Sequence, residues 1–134
     1  MRVYVDMVGD LFHHGHVEAL KRARAMGDYL IVGVHADSVC ASYKRPPVMS
    51  MKERIAVIEA CRYVDEVIAD APLVITEDYI SQHRIDKICH AHDPSEHEKY
   101  AWMYAVPTKV GIFHRLPYTQ NISTTDIINR IKET

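Results

Sequence analysis

Apolar and polar positions fall into blocks along this chain that switch between two periods. Val3-Tyr4-Val5 and Tyr29-Leu30-Ile31-Val32-Gly33-Val34 are continuous apolar runs, as expected of strands covered on both faces. Between them Val17, Leu20 and Ala23 recur on one helical face, which closes near Gly27-Asp28. A polar connection runs from Asp37 to Met49 and puts Lys44-Arg45-Pro46-Pro47 on a loop. Ser50 and Glu53 then form a capping box for a helix carrying Ile55, Ile58 and Cys61. Val64 to Ile68 is a short third strand, and Thr76 opens a helix that ends before Ile85. Lys87-Ile88-Cys89-His90 is a fourth strand. Ser95 and Glu98 form a second capping box, for a helix that must stop by Pro107. A fifth strand spans Val110 to His114. Ser123-Thr124-Thr125-Asp126 caps a last helix with Ile127, Ile128 and Ile131 inside.

Strands alternating with helices predict an α/β fold: a right-handed, Rossmann-like, doubly wound five-stranded parallel sheet in one domain, 1–134. Such sheets bind ligands beyond the carboxyl ends of their strands, where the strand order reverses. Segments 7–16, 35–49, 90–94 and 115–125 all follow strands, so all converge on that edge.

Composition narrows the partners. Lys and Arg number 16 against 18 Asp and Glu, a net charge of −2, which argues against a nucleic-acid or membrane-surface partner. Cys40, Cys61 and Cys89 lie in apolar stretches without zinc-like spacing and read as core thiols of a reducing compartment. Arg2 and Asp6 interrupt any leader at the start, and no stretch approaches a membrane span, so a cytoplasmic protein is expected.

The densest chemistry is His13-His14-Gly15-His16, held where the first strand hands over to a helix. Free backbone N–H groups, the positive end of the helix dipole and two imidazoles make an anion site there, and Gly15 lets a phosphate approach the backbone. A second helix N-terminus, at Ser123 to Thr125, offers hydroxyls and N–H groups for more phosphates. Asp10 reads equally as a loop cap or a binding residue. Lys44 reads as a phosphate ligand or a solvated charge. Arg54 and Arg62 read as phosphate contacts, structural ion pairs or a dimer contact. His90, His92, His97 and His114 read as surface or core residues rather than ligands, although His90 and His92 flank the binding edge. No role is expected of His14.

These motifs resemble the HxGH nucleotidyltransferases, and among them the small cytidylyltransferases that activate phosphocholine, phosphoethanolamine or glycerol 3-phosphate. The resemblance is carried by Asp10 to His16, Arg24 to Val34, Glu53-Arg54 with Arg62 to Val67, and Ile122 to Thr125. It implies a nucleotidyltransferase-type fold and transfer of CMP from CTP, with Mg²⁺, to a small phosphate or phosphonate. By resemblance His13, His16 and Lys44 are catalytic. Val8, Gly9, Asp10, Gly15, Asp93, Thr119, Ile122, Ser123, Thr124 and Thr125 bind the nucleotide. Arg45, Arg54 and Arg115 are candidate phosphate contacts, and Leu73 and Asp93 face the acceptor. Relatives are homodimers, which points to the segment from Ala56 to Asp65 as a symmetric contact.

Two departures bear on the substrate. Met7-Val8-Gly9-Asp10 stands where relatives carry Gly-Thr-Phe-Asp, and Tyr118-Thr119-Gln120-Asn121 where they carry Arg-Thr-x-Gly. Arg115 is the nearest substitute for the missing arginine, and Asn121 tolerates the left-handed turn. Leu73 replaces the aromatic residue of choline enzymes, which disfavours phosphocholine. Thr134 follows the last helix directly, so the membrane-responsive extension of the regulated choline enzymes is not expected. A phosphoethanolamine-like acceptor leads. Glycerol 3-phosphate, a hydroxyethylphosphonate-type phosphonate, an adenylyltransferase and a non-catalytic nucleotide-binding module are the alternatives.

Overall fold

A computed structural model describes residues 1–134. Its centre is an all-parallel five-stranded sheet: β1 (Arg2–Met7), β2 (Tyr29–Val34), β3 (Glu66–Ala69), β4 (Lys87–Ala91) and β5 (Phe113–Leu116). The order β3-β2-β1-β4-β5 reverses between β1 and β4, where Val3 pairs with Leu30 on one side and Lys87 on the other. The chain steps outward from β1 in both directions, and a crevice opens beyond the carboxyl ends of β1 and β4.

Alternation along the strands divides the core. Val3, Val5, Leu30, Val32 and Cys89 face α1 (His14–Arg24) and α3 (Met51–Glu59), meeting Leu20, Ala23 and Ile58. Tyr4, Ile31 and Ile88 point the other way, against Ile75, Ile85, Tyr100, Met103 and Tyr104. Side chains on both faces explain why β1 and β2 read as unbroken apolar runs. No helix is long and apolar enough to cross a membrane.

Capping signals held at three helices. Ser50 and Glu53 close their box reciprocally, Thr76 caps α4 (Glu77–Gln82), and Ser123 caps α7 (Thr124–Lys132). Other expectations need correction. The polar connection contains a helix, α2 (Asp37–Tyr43), and Lys44 sits at its C-terminal end, not on an open loop. Ser95 makes no capping box: its N–H and hydroxyl both donate to Asp93, which starts a 3₁₀ turn over Pro94–Glu96. The helical stretch is therefore broken, with α5 (His97–Ala101), a 3₁₀ turn at Trp102–Tyr104 and α6 (Ala105–Lys109). Pro107 lies inside α6, in its first turn, where a missing N–H leaves no intrahelical bond unmade. β5 starts at Phe113, because Gly111 takes a positive φ of 79° and turns the chain. β3 starts at Glu66 and α3 ends before Cys61. No residue of α7 is buried, and Ile131 is 60% exposed.

Candidate active site

The crevice is a cleft of about 550 Å³, within the range of small-molecule sites. The loop after β1, the end of α2, the segment after β4 and the start of α7 supply its walls. His13, His16, Lys44, Val8, Gly9, Asp10, Gly15, Arg45, Asp93, Thr119, Ile122, Ser123, Thr124 and Thr125 all line it.

The two histidines are set by backbone hydrogen bonds. His13 is the N-cap of α1, its Nδ1 accepting from the Gly15 N–H at 3.1 Å. His16, three residues further, accepts the His13 N–H on its own Nδ1 at 3.1 Å. A histidine pair thus performs the reciprocal cap ordinarily made by Ser/Thr and Glu/Gln. Because both Nδ1 atoms accept, each neutral ring carries its proton on Nε2. The ring centroids are 3.9 Å apart. Burial lowers His13, aided by the charge of His14, and takes His16 down to about 3, aided by His13 and Lys44. The site therefore presents two neutral N–H donors at a helix N-terminus. A Cβ on Gly15 would meet the His13 ring at 2.9 Å, so this arrangement requires glycine.

A second layer holds the loops. Both Asp10 oxygens are engaged, by the N–H groups of Val48 and Met49 at 2.8 and 2.9 Å, and this tethers the chain after Lys44 to the histidine loop. The Asp10 carbonyl accepts the Thr124 hydroxyl at 2.8 Å, which ties in the start of α7. Gly9 has a φ of +68°, and a Cβ there would strike Ile58 at 2.7 Å. Asn121 adopts a φ of 65°, so the left-handed turn expected before α7 is present without glycine.

Lys44 is exposed as a residue, but its ammonium lies 5.6 Å from the Tyr43 ring centre and 5.8 Å from that of Tyr100. Desolvation among these atoms, followed by the like charge of Lys99, lowers it from the ordinary lysine value. The cleft carboxylates form no metal cage, since no group of three or more His, Cys, Asp or Glu is placed to hold an ion.

Deep in the cleft is a second polar cluster. Asp6, fully buried, accepts the Tyr104 hydroxyl on Oδ1. Its Oδ2 has no hydrogen-bond partner: His35 Nε2 stands 3.4 Å away without the alignment of a hydrogen bond and is also unpartnered. His35 Nδ1 meets the Tyr43 hydroxyl at 2.7 Å. Burial alone would raise the Asp6 pKa. His35, His90 and the Tyr104 hydroxyl outweigh it and hold the carboxyl below its usual value, so Asp6 is an anion.

A cytidylyltransferase-like family profile matches residues 9–130. The chain belongs to the cytidylyltransferase-like family. It is 41% identical over 135 residues to an ethanolamine-phosphate cytidylyltransferase of Arabidopsis thaliana, covering 98% of this chain and 32% of that protein. The choline-phosphate cytidylyltransferase A of Homo sapiens is 40% identical over 133 residues, covering 98% of this chain and 36% of that protein. The chain thus spans about a third of the length of these relatives. Among solved structures, a lipopolysaccharide core biosynthesis protein from Thermoplasma volcanium superposes with a TM-score of 0.71 at 25% identity, covering 91% of this chain and 98% of that one. A pantothenate synthetase from Thermus thermophilus, at 14% identity and TM-score 0.63 over 98% of this chain and 64% of that one, shares the fold.

Three expected contacts of this cytidylyltransferase-like chain lie elsewhere. Arg54 is fully buried outside the cleft lining, its guanidinium donating to Met49 O, Val8 O, His35 O and Asp37 Oδ1. Arg115 is exposed on β5 and does not reach the wall, where Tyr118 stands instead. Leu73 packs beside the Tyr4 and Ile75 cluster and is not part of the cleft lining. Conversely, Asp6, His35, Tyr43, His90, His92 and Tyr100 line the cleft and were not assigned to it from sequence.

Proposed function

We propose that this domain transfers the cytidylyl group of CTP to a small phosphate carrying a cationic end, with phosphoethanolamine the leading acceptor. An acceptor phosphate oxygen attacks the α-phosphorus in line, the bond to the bridging oxygen breaks, and pyrophosphate leaves. The observation that carries the reading is the pair of neutral Nε2–H donors on His13 and His16, facing the α7 N-terminus across one cleft. Donors fixed before the charge develops stabilise a pentacoordinate phosphorus without reorganising. Lys44 adds positive charge from the opposite wall, and magnesium bound to the triphosphate would neutralise the leaving pyrophosphate.

The acceptor end rests on Asp6. A buried carboxylate beneath the cleft whose Oδ2 has no hydrogen bond, only His35 Nε2 at 3.4 Å, calls for a cation or a hydrogen-bond donor. Asp93, the acid expected there from sequence, has Oδ1 engaged by Ser95. Leu73 carries no argument against phosphocholine, because it packs, partly buried, against the Tyr4 and Ile75 cluster and is not part of the cleft lining. The deciding assay is pyrophosphate release with each of four nucleotides against phosphoethanolamine, phosphocholine, glycerol 3-phosphate and 2-hydroxyethylphosphonate. CTP with phosphoethanolamine should turn over fastest. A preference for glycerol 3-phosphate or the phosphonate would overturn the cationic reading, a preference for ATP the cytidylyl reading, and binding without release would indicate a non-catalytic module.

A homodimer belongs to the same reading. Phe12, Val17, Val57, Ala60, Cys61, Arg62 and Tyr63 form a separate, mostly apolar hollow, and Val57 is 39% exposed. An apolar patch edged by Arg and Tyr suits a symmetric contact. Sedimentation at micromolar concentration should give a dimer, and Val57→Glu should yield monomers. A wild-type monomer would refute it.

A further inference from the structure

Lys44 ends a short helix that has little of its own to hold it. α2 buries only Cys40, and no side chain caps its start. Its first turn is fastened through Arg54, whose Nη2 donates to Asp37 Oδ1 at 2.6 Å and to the His35 carbonyl at 2.9 Å. Tyr43, the last residue of the helix, fastens the other end. Its hydroxyl lies 2.7 Å from His35 Nδ1, and the two rings meet edge to face with centroids 5.6 Å apart. His35 is 2% exposed, and its other nitrogen, Nε2, stands 3.4 Å from Asp6 Oδ2. The Lys44 ammonium forms no ion pair and lies 5.6 Å from the centre of that same Tyr43 ring.

We propose that Tyr43 is a positioning residue: with its hydroxyl held by His35, it aims Lys44 across the cleft at the reacting phosphates. The proposal rests on the reading that Lys44 acts on those phosphates. The Asp6 anion calls for a hydrogen on the nitrogen that faces it, so His35 carries one on Nε2. Nδ1 then accepts from the Tyr43 hydroxyl when the ring is neutral and donates to it when the ring is charged. In both cases a connected path, Asp6 to His35 to Tyr43, runs from the middle strand of the sheet to the end of α2. A lysine side chain is long and loses much rotamer freedom when it is held in one place. A tether one residue away, with its ring beside the ammonium, removes part of that cost before the reaction begins. Such orientation matters steeply, because a misplacement of about 1 Å at a reacting centre costs on the order of a hundredfold in rate.

The test measures pyrophosphate release from CTP, with whichever of the four acceptors above turns over fastest, for Tyr43→Phe, Lys44→Ala and the double variant. Tyr43→Phe should lower kcat about tenfold while the KM for CTP stays within about twofold, since the lysine counts most where charge develops. Lys44→Ala should lose at least about a hundredfold. The double variant should be no slower than Lys44→Ala alone, because a residue that acts only through Lys44 then has nothing left to aim. His35 supplies a second pair of variants. An Asn amide reproduces the Nδ1 position and still bonds the Tyr43 hydroxyl, whereas Gln reproduces Nε2 and does not. His35→Asn should therefore keep most of the wild-type kcat, and His35→Gln should match Tyr43→Phe. Thermal denaturation identifies any variant that does not fold. A wild-type kcat in Tyr43→Phe, or in a folded His35→Gln, overturns the proposal. So does a double variant slower than Lys44→Ala by the full Tyr43→Phe factor, which would give Tyr43 a role of its own. A wild-type kcat in Lys44→Ala overturns the reading of Lys44 and the proposal with it. Absence of turnover by the wild type with all four acceptors overturns the transfer reading on which both stand.

Discussion

His16→Ala is expected to lower kcat at least about a hundredfold, the size of effect seen when one preorganised transition-state donor is removed. The affinity for CTP should change much less, because the missing N–H matters most where charge develops on the reacting phosphorus. His16 also caps the helix, accepting the His13 N–H at 3.1 Å, so the alanine variant loses about 1 kcal/mol of helix stability as well. His16→Gln separates the two roles. Gln at this helix position is an ordinary capping-box partner, so the variant should melt close to wild type and still lose most of its turnover. His13→Ala should behave alike and, by freeing the Gly15 N–H, also lose the first cap. Steady-state pyrophosphate release with thermal denaturation of each variant measures both. Wild-type kcat in His16→Gln would reduce the histidine pair to a cap.

What the sequence revealed depends on how local each cause is. The strands were legible because β1 and β2 are covered on both faces and so carry uninterrupted apolar runs. Ser50, Thr76 and Ser123 were legible because a cap acts within one turn. The short helix α2 was not, since only Cys40 is buried on it and no side chain caps its start. Asp93 outcompeted Ser95 because a carboxylate two residues upstream captured both of the serine's donors. The same logic divides the site. His13, Gly15 and His16 act on a single helix turn, so their chemistry can be read from their spacing. Asp6, His35 and His90 sit in or just after three strands, among apolar neighbours, and only the order β2-β1-β4 brings them together. Charge alone misled for Arg54 and Arg115: sequence shows that a residue is cationic, not which way the backbone turns it.

The largest stability effect is expected at Arg54. Its side chain has no solvent exposure, and it spans Met49 O at 3.1 Å, Val8 O at 2.6 Å, His35 O at 2.9 Å and Asp37 Oδ1 at 2.6 Å. One guanidinium therefore joins the loop after β1, the exit of β2, the start of α2 and the approach to α3. Arg54→Ala leaves three carbonyls without their donor and opens a cavity beneath the cleft. Removing one member of a buried, hydrogen-bonded charge network costs about 3–5 kcal/mol, and at roughly 3 °C per kcal/mol for a domain near this size the melting temperature should fall by about 10–15 °C. Arg54→Lys should recover little, because a single ammonium cannot reach acceptors spread around a planar fork. Asp37→Asn should cost far less, since the Asp37 side chain is 53% exposed and its charge is already solvated. Thermal denaturation of the three variants decides the matter. A melting temperature unchanged in Arg54→Ala, with a raised KM for CTP, would make Arg54 a nucleotide contact instead of the clamp that holds the cleft's loops together.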